Sequence, residues 1–417
     1  MTAPTPTATD ATLYCTPRLI TCAATRPGVG LIEEGALLVS GTRVVAVGSR
    51  QTLRQRYPHA RCIHHHGIIT PGLVDAHTHA MWLGSRGHEY TLRMAGANYE
   101  AIARAGGGIV SSMHAIRDAS PETLRTALLA RLRRMAALGV TTVEVKSGYG
   151  LNETAERAQL RAIAAAASQT DVPAVVATYL ALHALPPEAG GDRDGYARQA
   201  LGWLETFARA GLAQFVDAYV DRAAFSVAQA EPLLTRARQL GLGVRLHAGQ
   251  FADVGGAQLA ARLQAASIDH VEHIDKEGVA AVAAAGTTVV LLPIASMTLA
   301  QAPPPITAFR NAGITMVVAS DANPGTAPSE SLQLAMALAI RMYGLTPEEV
   351  LLGVTRHAAH ALGLAGGQLR AGASADMVLW DLEHEHDLLC PWAGPRTQAV
   401  FRAGICIAGD DAIAAAH

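Results

Sequence analysis

The sequence predicts an α/β protein: a (β/α)8 TIM barrel with a small β-sandwich domain formed by the N- and C-terminal segments. Three observations predict it. From Pro71 onward, short runs rich in Val, Ile, Leu and Thr alternate with longer Ala-, Leu- and Arg-rich segments of helical period, the signature of parallel βα units. Eight such runs lie between Gly72 and Asp321. On both sides of them the pattern changes to short strands, and all five cysteines (Cys15, Cys22, Cys62, Cys390 and Cys406) fall in those flanks. At 417 residues and 50% hydrophobic, the chain is long enough for one large domain and a smaller one.

Taken in order, residues 1–11 are polar and rich in Thr, Pro and Ala, and are expected to be a disordered tail. Residues 12–70 read as short strands and turns, as in the stretch from Ala36 to Gly48, and are too few to bury an ample core of their own. The barrel is assigned to residues 71–365, with strands expected at 72–77, 140–146, 174–183, 215–221, 243–247, 267–273, 287–293 and 315–321. Helix starts are marked by Ser120-Pro121-Glu122, a cap residue before Pro at the first helical position, and by Thr346-Pro347-Glu348-Glu349, which adds a Glu suited to a capping box. After Gly363 short strands return, in Ala375 to Trp380 and Val400 to Gly404. Residues 12–70 and 366–410 are therefore expected to pair as one discontinuous β domain.

Charge narrows the function. A formal net charge of -2 without a dense Lys/Arg run excludes a nucleic-acid or membrane-surface binder and leaves a small-molecule partner. The uncharged stretch 278–305 is interrupted by Gly286, Thr287, Thr288 and Pro293, which fits a Pro-terminated buried strand better than a membrane span. The N-terminus has no apolar core of the secretory kind, so a cytoplasmic location is expected. The cysteines include no Cys-x-x-Cys pair and are read as reduced thiols.

Active sites of such barrels lie at the C-terminal ends of the strands. His77 and His79 end the first run, two apart and so on one face of an extended backbone. His247 ends the fifth and Asp321 the eighth. Singly, each suits a hydrogen-bonded core residue or a turn; jointly, three imidazoles and a carboxylate can hold one ion and leave a position for water. His270 sits where the sixth strand points inward, whereas Glu272 and His273 are less specific and His273 is expected on a loop. The run His64-His65-His66 is expected to be a solvated loop just before the barrel.

With Pro71-Gly72-Leu73-Val74-Asp75-Ala76-His77-Thr78-His79 at strand one, His247 at strand five, His270 at strand six and Asp321 at strand eight, the barrel resembles the amidohydrolase superfamily. Gly84-Ser85-Arg86, Ala105-Gly106-Gly107-Gly108-Ile109, the stretch Val143 to Gly150 with its Lys146-Ser147-Gly148-Tyr149-Gly150, and Ser320-Asp321-Ala322-Asn323-Pro324-Gly325 resemble more narrowly its ring-opening members of histidine degradation, from about residue 30 to the C-terminal flank. The resemblance implies hydrolysis of 4-imidazolone-5-propanoate to N-formimidoyl-L-glutamate. It implies one divalent or trivalent metal per chain, zinc or iron, on His77, His79, His247 and Asp321. Dinuclear members use a modified Lys at the end of strand four; the fourth run, Phe215 to Asp221, has none, and Lys146 belongs to the second, so a single ion is expected.

Asp321 and His270 are the candidates to take a proton from water, and His183, ending the third run, to orient or protonate the ring. Arg86 suits bidentate recognition of the propionate, and the resemblance places Tyr149, His183, Asn323, Gly325 and Thr326 around the substrate. Gln250 stands where some members carry Glu; an amide cannot act as a base, so it is assigned to binding. The resemblance suggests a homodimer. The competing expectation is another mononuclear member, such as formimidoylglutamate deiminase or a nucleobase deaminase, which would release ammonia; a noncatalytic metal-binding protein on the same barrel is a more distant one.

Overall fold

Residues 11–96, 107–222, 224–390, 394 and 396–409 are described in the structure, a computed structural model. The β-branched runs form the eight parallel strands of a barrel: Leu73–Asp75, Val140–Lys146, Ala174–Leu182, Phe215–Val220, Gly243–Ala248, Ser267–His270, Thr288–Leu291 and Met316–Val318. Each pairs with its sequence neighbours, and the first and last meet at their C-terminal ends. There the Asp321 N–H donates to the His77 carbonyl at 3.1 Å and the His79 N–H to the Ala322 carbonyl at 3.0 Å. Just below, Ser320 Oγ donates to the buried Asp75 carboxylate at 2.5 Å. The barrel thus closes at the residues the sequence marks as ligands.

The helices return each strand to the next. Helix Pro121–Ala137 starts on the Ser120 cap, and Pro347–Gly353 carries the full capping box between Thr346 and Glu349. The uncharged stretch resolves into helix Lys276–Ala285, strand Thr288–Leu291 and helix Pro293–Leu299, so Pro293 opens a helix instead of ending a strand. Among the described residues no helix is long and apolar enough to cross a membrane.

The flanks form a mixed sheet of eight strands, joined where Ile68–Pro71 runs antiparallel to Met377–Trp380. The sheet is apolar on both faces: Tyr14, Leu19 and Leu37 pack with Met377 and Phe401 on one, Leu13, Cys15 and Leu38 with Leu53 on the other. Leu53 comes from a short helix, Arg50–Arg56, that hydrophobic periodicity did not reveal. His65 also departs from expectation: it is buried, with Nε2 2.9 Å from the Trp380 carbonyl and 3.2 Å from that of Ile68, whereas His64 and His66 are exposed. Of residues 1–11, read as a tail, 1–10 lie outside the described residues, as do Ala105-Gly106 of the glycine motif, whereas Ala11 is buried and opens strand Ala11–Ile20.

Trp380 ties flank to barrel. Fully buried, it donates from Nε1 to Thr70 Oγ1 at 2.9 Å and lays its ring against Gly139. Gly139 has φ +92°, and a Cβ there would lie 2.4 Å from the indole. Gly139→Ala is therefore expected to lower stability by about 2 kcal/mol or more, from strain and overpacking together. Chemical denaturation of the two proteins measures it, and equal midpoints would contradict the account.

Candidate metal centre and substrate cavity

Four of the residues singled out in the sequence converge at the mouth of the barrel. His77 and His79 project from just beyond the first strand, His247 from the fifth, and the ligand atoms of the three lie within 4.8 Å of one another. Asp321 Oδ1 stands 3.5 Å from His77 Nε2 and 3.4 Å from His79 Nε2, and all four residues are buried. His79 Nε2 and His247 Nε2 are 3.2 Å apart. With the ring proton of each on Nδ1, their lone pairs face one another, an arrangement that a cation between them stabilises. His77 Nε2 and Asp321 Oδ1 are buried without a hydrogen-bond partner. The donor set fits a cation.

Carboxylates behind the histidines decide which nitrogen faces the centre. Asp269 Oδ2 takes the Nδ1–H of His77 at 2.6 Å, and Asp217 Oδ2 lies 3.0 Å from His247 Nδ1. Both rings therefore direct Nε2 inward as a lone pair. Each carboxylate is held in turn by a buried cation: Arg245 lies 3.2 Å from Asp269 while also donating to the Ala76 carbonyl, and Lys146 lies 3.2 Å from Asp217 and 2.7 Å from Glu144. Burial alone would raise the Asp217 carboxyl, but the adjacent His247 imidazole and the charge of Lys146 hold it below the ordinary carboxylate range. Burial, reinforced by neighbouring positive groups, keeps His77, His79 and His270 well below their usual range, so they stay neutral and ready to ligate. Burial pushes Asp321 well above its range.

Backbone strain aims two of these side chains. Asp321 has φ 54° and His270 φ 80°, both in the left-handed region that non-glycine residues seldom adopt. The loop after Asp321 is built by Asn323, whose Oδ1 accepts from the N–H groups of Gly325 at 2.8 Å and Thr326 at 2.7 Å while its Nδ2 donates to the Asp321 carbonyl at 2.7 Å. Asn323 and Thr326 reach the cavity, but their polar groups are engaged with each other and with this turn.

The cavity beside the ligands is lined by His79, Arg86, Tyr149, His183, Gln250 and His270 among others. Arg86 is gripped by Glu89, which takes Nε at 2.8 Å and whose other oxygen accepts the Gly108 N–H at 2.9 Å. Gly325 lies against the guanidinium: a Cβ there would come within 2.6 Å of Nη1. His183 donates its Nδ1–H to the Gly148 carbonyl at 2.8 Å and stacks on His79 with centroids 5.1 Å apart. Burial, with His247 close by, pushes His183 down to about 3, which makes its Nε2 an acceptor at neutral pH and suits it to orienting a ring more than to protonating one. Gln250 accepts the Tyr219 hydroxyl on Oε1 at 2.6 Å, so its amide N–H groups are the side left to donate. His273 is exposed on the loop after strand six.

Sequence reasoning missed the supporting carboxylates Asp217 and Asp269 and the grip of Glu89 on Arg86, and it gave Glu272 no role beyond a less specific candidate. Glu272 is buried, accepts from Ser296 Oγ at 2.5 Å, and lies 3.9 Å from His270 Nδ1. Ser296 Oγ in turn lies 2.6 Å from the Tyr343 hydroxyl. The available signal was an acid inside an apolar strand run or directly beside a candidate histidine, as in Val216-Asp217-Ala218 and Asp269-His270-Val271-Glu272.

A strand-closed barrel with this ligand set at its mouth defines a metal-dependent hydrolase class, and residues 68–406 match the amidohydrolase family, to which the chain belongs. Within it the chain belongs with the imidazolonepropionases. Residues 35–60 match an imidazolonepropionase-like composite domain of bacteria. The curated imidazolonepropionase of Paracoccus denitrificans (strain Pd 1222) is 44% identical over 89% of this chain and 94% of its own. That of Acidiphilium cryptum (strain JF-5) is 45% identical over 92% and 96%. Among solved structures, an atrazine chlorohydrolase from Arthrobacter aurescens TC1 complexed with zinc aligns with a TM-score of 0.74 at 18% identity, covering 97% of this chain and 98% of that one. An adenosine deaminase from Xanthomonas campestris with bound zinc aligns with a TM-score of 0.72 at 19% identity, covering 97% and 96%. These two share the fold.

Asp217→Asn should lower affinity for a metal ion in the barrel by about 10- to 100-fold, because His247 loses the carboxylate that fixes its ring. Competition with a chelator measures it, and unaltered retention would remove Asp217 from this role. Burial raises Glu272 from an ordinary 4.5 to about 7, so the folded state favours its protonated form. That contribution is complete below pH 4.5 and is lost as pH rises through 7. In metal-free protein the stability of wild type relative to Glu272→Gln is expected to fall by up to about 3 kcal/mol across that interval. Denaturation at several pH values tests it; a pH-independent difference would mean that Glu272 titrates normally.

Proposed function

We propose that the chain is a hydrolase that opens the imidazolone ring of 4-imidazolone-5-propanoate to give N-formimidoyl-L-glutamate in histidine degradation. One observation carries the reading. The cation-ready cluster of His77, His79, His247 and Asp321 borders a cavity that also presents Arg86, in a chain 44% identical to a curated imidazolonepropionase across 89% of its length.

His77, His79, His247 and Asp321 would hold one zinc or iron ion; no lysine of the fourth strand, Phe215–Val220, supplies a bridge to a second. Such an ion, when bound, lowers the pKa of water toward neutrality and polarises a carbonyl. The chain's own groups do the rest. Arg86, held by Glu89, pairs with the propionate and anchors the substrate at the end remote from the ring. His183 Nε2 accepts from a ring N–H, and the Gln250 amide donates to the ring, its oxygen being occupied by Tyr219. Asp321 Oδ1 or His270 accepts the proton of the attacking water and passes it to the ring nitrogen as the carbon–nitrogen bond breaks. The carbonyl carbon becomes the carboxylate of the product.

An assay of fresh 4-imidazolone-5-propanoate, with ammonia and metal measured in the same sample, tests the function. Ring opening without ammonia is the expected result, and ammonia release would favour a deaminase. In Arg86→Ala, KM for this substrate should rise about 10- to 100-fold with a smaller change in kcat, the cost of one charge-assisted anchor. An unchanged KM would remove the carboxylate clamp.

A further inference from the structure

Away from the barrel, three metal-ligand side chains of the flanking sheet meet on one face. Strand Arg61–His64 runs parallel to Ala11–Ile20 with Leu13 opposite Cys62 and Cys15 opposite His64. Side chains two apart share a face, so Cys62 and His64 stand beside Cys15. Cys15 Sγ lies 3.4 Å from Cys62 Sγ, Cys62 Sγ lies 3.4 Å from His64 Nε2, and the three ligand atoms are all within 4.8 Å of one another. A tetrahedral zinc with bonds of about 2.3 Å to sulfur and about 2.0 Å to nitrogen sets two sulfurs about 3.8 Å apart and sulfur from nitrogen about 3.5 Å apart. The Cys15–Cys62 and Cys62–His64 separations differ from these by a few tenths of an ångström, and His64 stands within 4.8 Å of Cys15.

We propose that Cys15, Cys62 and His64 form a second metal site, specific for a thiophilic ion such as zinc and independent of the barrel centre. Cys15 is buried, Cys62 half-buried and His64 exposed, so an ion enters from the sheet edge and keeps one position open to water. Thiolate and imidazole ligands select soft and borderline metals over magnesium or calcium. Burial and the hydrogen bond to Cys62 push the Cys15 thiol up to about 12, against the smaller pull of Arg50 and Arg54 on the helix that covers this face, so binding displaces thiol protons. The ion would clamp the first strand of the flank to the segment that enters the barrel, closing a loop across 47 sequence positions. It also gives His64 a function that the solvated-loop reading of its histidine run did not.

Cobalt(II) tests this in the full-length protein with thiols reduced and the barrel site already loaded. The barrel ligands contain no sulfur, so a near-ultraviolet thiolate-to-cobalt charge-transfer band reports the flank alone. Wild type should develop the band on binding one further ion per chain, and zinc should abolish it. Cys62→Ser should lose the band and that ion. His64→Gln should keep it with affinity at least about tenfold weaker, or about 1.4 kcal/mol. Both positions are at least partly exposed, and ring-opening turnover in the two variants verifies that they fold. Absence of the band in wild type with its thiols still titratable would overturn the site, as would a full band in Cys62→Ser. Loss of two titratable thiols without metal uptake would also overturn it, showing that the pair closes to a disulfide instead.

Discussion

Two dry carboxylate–histidine pairs govern the site. His77 with Asp269 and His247 with Asp217 are wholly or almost wholly removed from solvent, and each imidazole can present Nε2 to the barrel mouth only while its carboxylate holds Nδ1. Burying a carboxylate is costly, and the cost is met by placing a second buried cation beside each: Arg245 at Asp269 and Lys146 at Asp217. Such an assembly contributes little net stability compared with an apolar filling of the same volume. Its benefit is geometric. Strands two, four, five and six each place a charged side chain in the barrel interior, and the pairing of those charges fixes the two rings that lie above them.

The opposite wall is fixed by the backbone. His270, Val271 and Asp321 all have positive φ, and they sit where strands six and eight give way to their loops. Each such residue costs about 1–3 kcal/mol unless its surroundings determine it. For Asp321 the surroundings are identifiable: its own N–H is held by the His77 carbonyl and its carbonyl by Asn323 Nδ2, so the seam of the barrel and the turn beyond it pin the residue from both sides. The closure of the fold and the aim of the carboxylate are the same set of hydrogen bonds.

The barrel was legible because its strands are near-continuous apolar runs bounded by glycine, proline and cap residues, and because ligand-type residues recur at their ends. The second run matches the observed strand at both ends, Val140–Lys146. What stayed hidden was of two kinds. Asp217 and Asp269 read as polar interruptions of strands, since their partners His247 and His77 lie 30 and 192 positions away and only closure of the barrel brings them together. The helix Arg50–Arg56 and the buried His65 were hidden because local pattern says nothing about them: the helix buries only Leu53, and His65 finds its acceptor in Trp380, on the far arm of the flank. Sequence spacing reveals what one element does; it does not reveal which charges two distant elements bring to one point.

The same buried chemistry limits which groups can handle protons. Gln250 cannot, because an amide neither gains nor loses one near neutrality, and its oxygen is occupied by Tyr219. His183 is a poor donor because its protonated form is suppressed down to about 3 and its one ring proton is committed to Gly148. Asp321 and His270 remain, and they are not equivalent. Asp321 shares its free oxygen with the histidine cluster, so any ion there competes with a proton for the same lone pair. His270 has Glu272 behind Nδ1, and Glu272 is linked through Ser296 to Tyr343. A ring backed by a carboxylate can take a proton on one nitrogen while the carboxylate stabilises the charge through the other. At 3.9 Å the contact is longer than a hydrogen bond, and a movement of under about 1 Å would complete it. Burial holds the His270 imidazole well below its usual range and pushes the Asp321 carboxyl well above its own, so closing the contact to Glu272 is what His270 would need before it could hold a proton.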